Sequence, residues 1–142
     1  MAQVDGSQLM AEGLKEEGVD TIFYIMGGPN ILLSMHAERL GIRLIDVRHE
    51  QAAAMMAHAY SRVTGKVGVC MGAGGPGAAN LLTGMANAFL DACPVLGLGG
   101  SSAVHFYDLG DFQEFDQLAV FKPISKWSAR IYEAHRAKEY VH

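Results

Sequence analysis

The chain has 142 residues, half of them apolar and 18% charged, with a net charge of -4 and a pI near 5.8, the profile of one ordinary domain that can bury a core without cross-links. It lacks the basic stripe and interleaved aromatics of a nucleic-acid binder, and no run approaches the roughly 18 apolar residues of a membrane span. Cys70 and Cys93, far apart and set among small apolar neighbours, fit reduced buried thiols better than a disulfide or metal pair, and residues 1–6 lack a signal-peptide pattern, so the expected setting is cytoplasmic.

From Asp5 to Glu17, Leu9, Met10 and Leu14 recur at helical spacing; Asp5 or Ser7 can cap the start and Gly18 can end it. Thr21 to Ile25 is a short β-branched and aromatic run halted by Gly27, Gly28 and Pro29, which predicts a strand feeding a loop. Asn30 caps a second helix, Ile31 to Leu40. Ile42 to Val47 is the next strand, followed by a helix from about His49 to Thr64 that stops at Gly65. The unit repeats with a strand at Val67 to Met71, a glycine loop at Gly72 to Gly77, a helix at Ala78 to Ala92 and a strand at Val95 to Leu98.

Strands alternating with helices require crossovers, and hence a parallel sheet covered on both faces. The expected fold class is α/β, a doubly wound parallel sheet in a single three-layer domain. Ala103 to Asp116 breaks the rhythm and reads as a surface loop at the carboxyl end of the sheet, where open α/β sheets bind ligands. A short helix is expected around Gln113 to Ala119, a strand at Lys126 to Ile131 and a helix at Glu133 to Val141. That helix halts abruptly at His142, which points to a piece of something longer.

Two helices lack a polar face. Ala52, Ala53, Ala54, Met55, Met56, Ala57 and Ala59 occupy most of the circumference of one, and Leu81 to Ala92 is only slightly less apolar. Such helices lie deep in a core or cover a partner, and in a domain this small the expectation is packing against another domain or a second copy. The alternative is burial under neighbouring helices of the same domain.

Gly72-Ala73-Gly74-Gly75-Pro76-Gly77 fits G-x-G-x-x-G between a strand and a helix, the context of a dinucleotide fingerprint. It follows the third strand rather than the first, however, and the next strand ends in Gly99, Gly100 and Ser101 with no acidic residue for a ribose. The glycines do permit close backbone approach to a flat or phosphate-like group, and Pro76 can start the helix. Glu50 stands where a strand gives way to the alanine-rich helix. A first-turn glutamate complements the helix dipole by roughly 0.3 to 1 kcal/mol; among small apolar residues it would instead be buried, where a carboxyl's charged form is disfavoured and it can share a proton near neutral pH. Arg48 and His49 are candidate partners. No histidine spacing marks a metal site, and Asp91, Asp108, Asp111, Glu114 and Asp116 read as solvated surface.

The ordered set Gly27-Gly28, Arg48-His49-Glu50-Gln51, Gly75-Pro76-Gly77 with Asn80, Asn87 to Pro94, and Phe112-Gln113-Glu114 resembles the N-terminal, pyrimidine-binding domain of thiamine diphosphate-dependent enzymes. The acetolactate synthase group is nearest in pattern, and Gly110 to Gln117 resembles oxalyl-CoA decarboxylase. The resemblance covers nearly all of residues 1–142. It implies that Glu50 hydrogen-bonds N1′ of the cofactor's aminopyrimidine and favours the imino tautomer that removes the C2 proton, so that the cofactor can attack a 2-keto acid. It also implies that Ile25, Met26 and Gly27 border the cofactor, that Ala73 and Pro76 line its pyrimidine, that Asn80 supports the loop, and that Gly28, Phe112 and Gln113 face the substrate. Diphosphate and Mg²⁺ would be held by a separate domain with a Gly-Asp-Gly motif, absent here, and a second copy would complete the site. Ile25-Met26-Gly27-Gly28 replaces the Tyr-Pro-Gly-Gly of many acetolactate synthases, which leaves decarboxylase and carboligase both open; the sequence does not address FAD. The competing readings are an NAD(P)- or nucleotide-binding module using Gly72 to Gly77, and a non-catalytic association domain.

Overall fold

The computed structural model describes residues 4–142. Helix α1 (Gly6–Glu16) precedes strand β1 (Thr21–Tyr24); α2 (Ile31–Arg39) leads to β2 (Arg43–Asp46), and α3 (Glu50–Thr64) to β3 (Gly68–Gly74). Then come α4 (Pro76–Asn80), α5 (Leu82–Leu90), β4 (Val95–Gly100) and α6 (Gln117–Phe121). The four strands form a parallel sheet in the order β2-β1-β3-β4.

The two-residue period of the central strands divides the core in two. Ile22, Tyr24, Val69 and Met71 join Ala11 and Leu14 of α1 and Leu33 and Ala37 of α2 on one face. Phe23 and Cys70 join Ala53, Ala54 and Ala57 of α3, together with Leu81, on the other. Helices thus cover both faces, the doubly wound arrangement that the alternation of elements predicts.

Caps set the helix limits. Asp5 accepts a hydrogen bond from the Gln8 amide at 2.8 Å and starts α1. His49 Nδ1 accepts from the Gln51 amide at 3.2 Å and starts α3, which ends on Gly65 in the left-handed conformation. The far end of α3 is tied to the foot of β1. Lys66 Nζ lies 2.6 Å from Asp20 Oδ2, and Tyr60 donates to Asp20 Oδ1 at 2.6 Å. With a further bond from Thr21, these donors hold the Asp20 carboxyl down at about 2.

Small residues bring α3 and α5 close together. A Cβ added to Gly84 of α5 would stand 2.4 Å from Ala54 Cβ of α3. One apolar face of each helix is therefore covered inside the domain, as the alternative reading held, whereas Met55, Met56, Phe89 and Leu90 remain exposed on their outer faces.

Five expectations are corrected. β3 runs on to Gly74, pairing Gly72 with Gly99 and Gly74 with Gly100 around an irregularity at Ala73, so half of the glycine loop belongs to the sheet. The helix expected at Ala78 to Ala92 begins at Pro76 and is broken at Leu81, whose amide bonds to the Ala78 carbonyl at 3.0 Å, one residue short of the α spacing. The stretch from Lys126 to Ile131 is irregular and pairs with no strand, and Glu133 to Val141 forms only a 3₁₀ turn, Ala134–Arg136, followed by turns. A single short segment without a ladder partner forms no strand, and nine residues are too few for a helix to be stable on propensity alone. Finally, α6 starts four residues later than the expected helix because Asp116, its N-cap, accepts from the Ala119 amide at 3.0 Å.

Candidate functional site

Because all strands run the same way, the loops after β1, β2 and β3 gather at one end of the sheet. Glu50, the first residue of α3, lies there and is only 7% exposed. Its Oε2 accepts a hydrogen bond from Asn80 Nδ2 at 2.9 Å. Asn80 closes α4, so the broken helix places an amide where a continuous run would have carried the chain onward. Glu50 Oε1 faces the backbone of Gly77: a Cβ there would stand 2.8 Å from Oε1 and 2.9 Å from Ala73 Cβ.

Ala73 owes its position to the irregularity in β3. Bulges re-aim one side chain out of the pleat, and this one sets Ala73 Cβ beside both Gly77 and Gly27, where an added Cβ would approach it to 2.5 Å. Gly27, Ala73 and Gly77 thereby make a floor of backbone and one methyl group next to a buried carboxylate oxygen. This floor suits a flat ring whose edge carries a group able to exchange a proton with Glu50, and the residues present fit an aminopyrimidine.

The other expected site residues divide into two groups. Ile25 is half-buried and its amide bonds to the Met71 carbonyl at 3.3 Å, beside the floor. Met26 is 51% exposed at the loop's tip, Gly28 is open to solvent, and Pro76 is exposed at the start of α4. Gln113 meets the glycine turn by its backbone: an added Cβ at Gly75, whose φ is +52°, would fall 2.0 Å from the Gln113 carbonyl oxygen. Phe112 is 83% exposed, next to Gln113 in the loop that meets the glycine turn. Arg48 pairs with Asp46 at the surface, and His49 is spent on its cap.

Two residues have roles that the sequence reading misplaced. Asn30 does not cap α2 with its side chain. It is buried, accepts from the Gly27 amide at 2.8 Å and donates to the carbonyls of Ile25 at 3.3 Å and Gly72 at 3.2 Å. Its place three residues after Gly27, in a turn that leaves backbone groups unpaired, was the available signal. Glu114 is not solvated surface. Its carboxylate accepts from the amides of Asp108 at 2.8 Å and of Gly110 and Asp111 at 3.2 Å each, which folds the loop back over the glycine turn and leaves Gln113 at a φ of +61°. Among the described residues no three His, Cys, Asp or Glu side chains gather as a metal site, and no helix is long and apolar enough to cross a membrane.

The family described as thiamine pyrophosphate enzyme, N-terminal TPP binding domain, matches residues 4–120. The chain is 41% identical over 128 residues to 2-hydroxyacyl-CoA lyase 1 of Homo sapiens, a match covering 90% of the chain and 22% of the relative. It is 38% identical over 133 residues to oxalyl-CoA decarboxylase of Escherichia coli (strain K12), covering 92% and 24%. It is 39% identical over 125 residues to the acetolactate synthase isozyme 2 large subunit of the same strain, covering 88% and 23%. The chain thus spans under a quarter of the length of these relatives. Neither the nucleotide module nor the purely associative domain describes the family found. This chain belongs to the family of N-terminal TPP-binding domains of thiamine pyrophosphate enzymes.

Proposed function

We propose that residues 1–142 form the aminopyrimidine-binding part of a thiamine diphosphate-dependent decarboxylase, lyase or carboligase, with Glu50 as the proton relay at ring N1′. The observation that carries this reading is the buried Glu50 carboxylate, held by one hydrogen bond from Asn80 and with its other oxygen beside the floor of Gly27, Ala73 and Gly77. Thiamine diphosphate, when bound, supplies the carbanion chemistry. Glu50 receives and returns a proton at the ring's edge from a site that excludes bulk water. Ile25 and Met26 border the ring, Pro76 flanks it, and Gly28, Phe112 and Gln113 face the substrate.

The substrate class is a 2-keto acid. A coenzyme A thioester, as in the names of the lyase and the decarboxylase among the relatives, makes the same demand on Glu50. The diphosphate and Mg²⁺ belong to a domain outside this chain, and a second copy completes the site by covering Met55, Met56, Phe89 and Leu90. In the complete enzyme, Glu50→Gln is expected to slow exchange of the cofactor's C2 proton by ~10²-fold or more while leaving folding intact. An exchange rate within a factor of about two of the unaltered enzyme would overturn the assignment.

A further inference from the structure

The Glu50 carboxylate has two oxygens with different surroundings, and a single residue makes the difference. Oε2 accepts the Asn80 Nδ2–H at 2.9 Å, the one side-chain hydrogen bond to Glu50 among the described residues. Oε1 has no such bond and faces Gly77 and Ala73. A carboxylate with one oxygen engaged by a donor takes up its proton preferentially on the other, because the N–H stabilises negative charge on the engaged oxygen and lowers its basicity. The chemistry of the donor matters as well. An aspartate in this position would compete for the proton, and a histidine would take or supply one. A carboxamide does neither: it donates a fixed N–H and stays uncharged.

The geometry points to Asn80 as a positioning residue that fixes Glu50 in one rotation and directs its exchangeable proton to Oε1, the oxygen beside the glycine floor. This inference rests on the reading of Glu50 as a relay. The break in the helix at Leu81 follows the same logic. Asn80 ends α4 and α5 begins at Leu82, so the amide sits at a terminus aimed back at α3 rather than within a regular helix.

The test uses the complete enzyme. Freed of cofactor, it provides a readout independent of turnover: the carboxylate stretch of Glu50, isolated in infrared difference spectra against Glu50→Gln, is expected to shift when Asn80 becomes Ala. With cofactor bound, Asn80→Ala is expected to lower kcat about tenfold or more at every pH, with cofactor affinity changed by less than about threefold, because the group lost orients a proton rather than holding the ring. Asn80→Asp has nearly the same shape and guards against a folding artefact. Its activity is expected to recover toward acid pH, where the new carboxyl carries a proton and can donate as the amide did. An unshifted stretch in Asn80→Ala, or an Asn80→Asp pH profile that follows the unaltered enzyme, would overturn the role of Asn80. If Glu50→Gln leaves C2 exchange intact, the relay reading itself falls, and the infrared result still reports whether Asn80 orients the carboxylate.

Discussion

Gly84→Ala offers a direct test of how the two apolar helices are packed. In an exposed helix interior this change stabilises by roughly 0.5 to 1 kcal/mol, because glycine has more backbone entropy to lose. At position 84 the added Cβ would lie 2.4 Å from Ala54 Cβ and 2.9 Å from both the Ala54 carbonyl carbon and the Met55 amide nitrogen. Carbon atoms need about 3.5 to 4 Å, so α5 must move away from α3 by roughly an ångström, and the obstacle includes backbone that no rotamer change can remove. Overpacking of this kind costs ~1 to 3 kcal/mol. Set against the propensity gain, the expected net loss is about 1 to 2 kcal/mol, read from urea unfolding followed by far-ultraviolet circular dichroism. Thr83→Ala, one position earlier and exposed, is the control and should be neutral or slightly stabilising. Stabilisation by Gly84→Ala equal to or above the control would refute the close approach of α3 and α5.

Two further outcomes follow from local electrostatics and burial. The Asp20 carboxyl, held at about 2 by Lys66, Tyr60 and Thr21, lies below its unfolded value near 3.9, so the stability it confers is present above pH ~4 and is lost as the pH falls toward 2. Because the Asp20 side chain is 44% exposed, solvent screening limits the effect to roughly 0.5 to 1 kcal/mol; Asp20→Asn should cost that much at pH 7 and nothing near pH 2, and an equal loss at both would be incompatible with the ion pair. Cys70 is fully buried and its thiol is pushed up to about 12 by desolvation, whereas Cys93 is only half-buried. A thiol-reactive disulfide reagent should therefore label Cys93 in the folded chain and Cys70 only after unfolding, and equal labelling rates would contradict this burial.

What was legible in the sequence was what local pattern encodes. The β-branched and aromatic run from Thr21, halted by Gly27, Gly28 and Pro29, marked β1, and the caps at Asp5 and Gly65 marked helix limits. Glu50 was recognisable from its neighbours, since a carboxylate followed by alanines has few places to go but inward. The features that were not legible depend on partners distant in sequence. The irregularity at Ala73 arises from pairing with β4, and the inward turn of Asn30 from the bare carbonyls of Ile25 and Gly72. Glu114 looked like one more surface acid because nothing local shows that three amides of its own loop would close around it. The expected strand and helix after Ser125 failed for a related reason: their composition is suitable, but strands need neighbours and short helices need a face to pack on.

The three hydrogen bonds of Asn30 join the loop after β1 to the last residues of β3 through a side chain that is buried. The floor of Gly27 and Ala73 is consequently rigid before any ring rests on it. A loop with so many glycines would otherwise lose much conformational freedom when a ligand orders it, and affinity would fall by that amount. In the proposed site that entropy is lost when the domain folds, so contacts made by a bound ring would go to holding it rather than to ordering the protein beneath it.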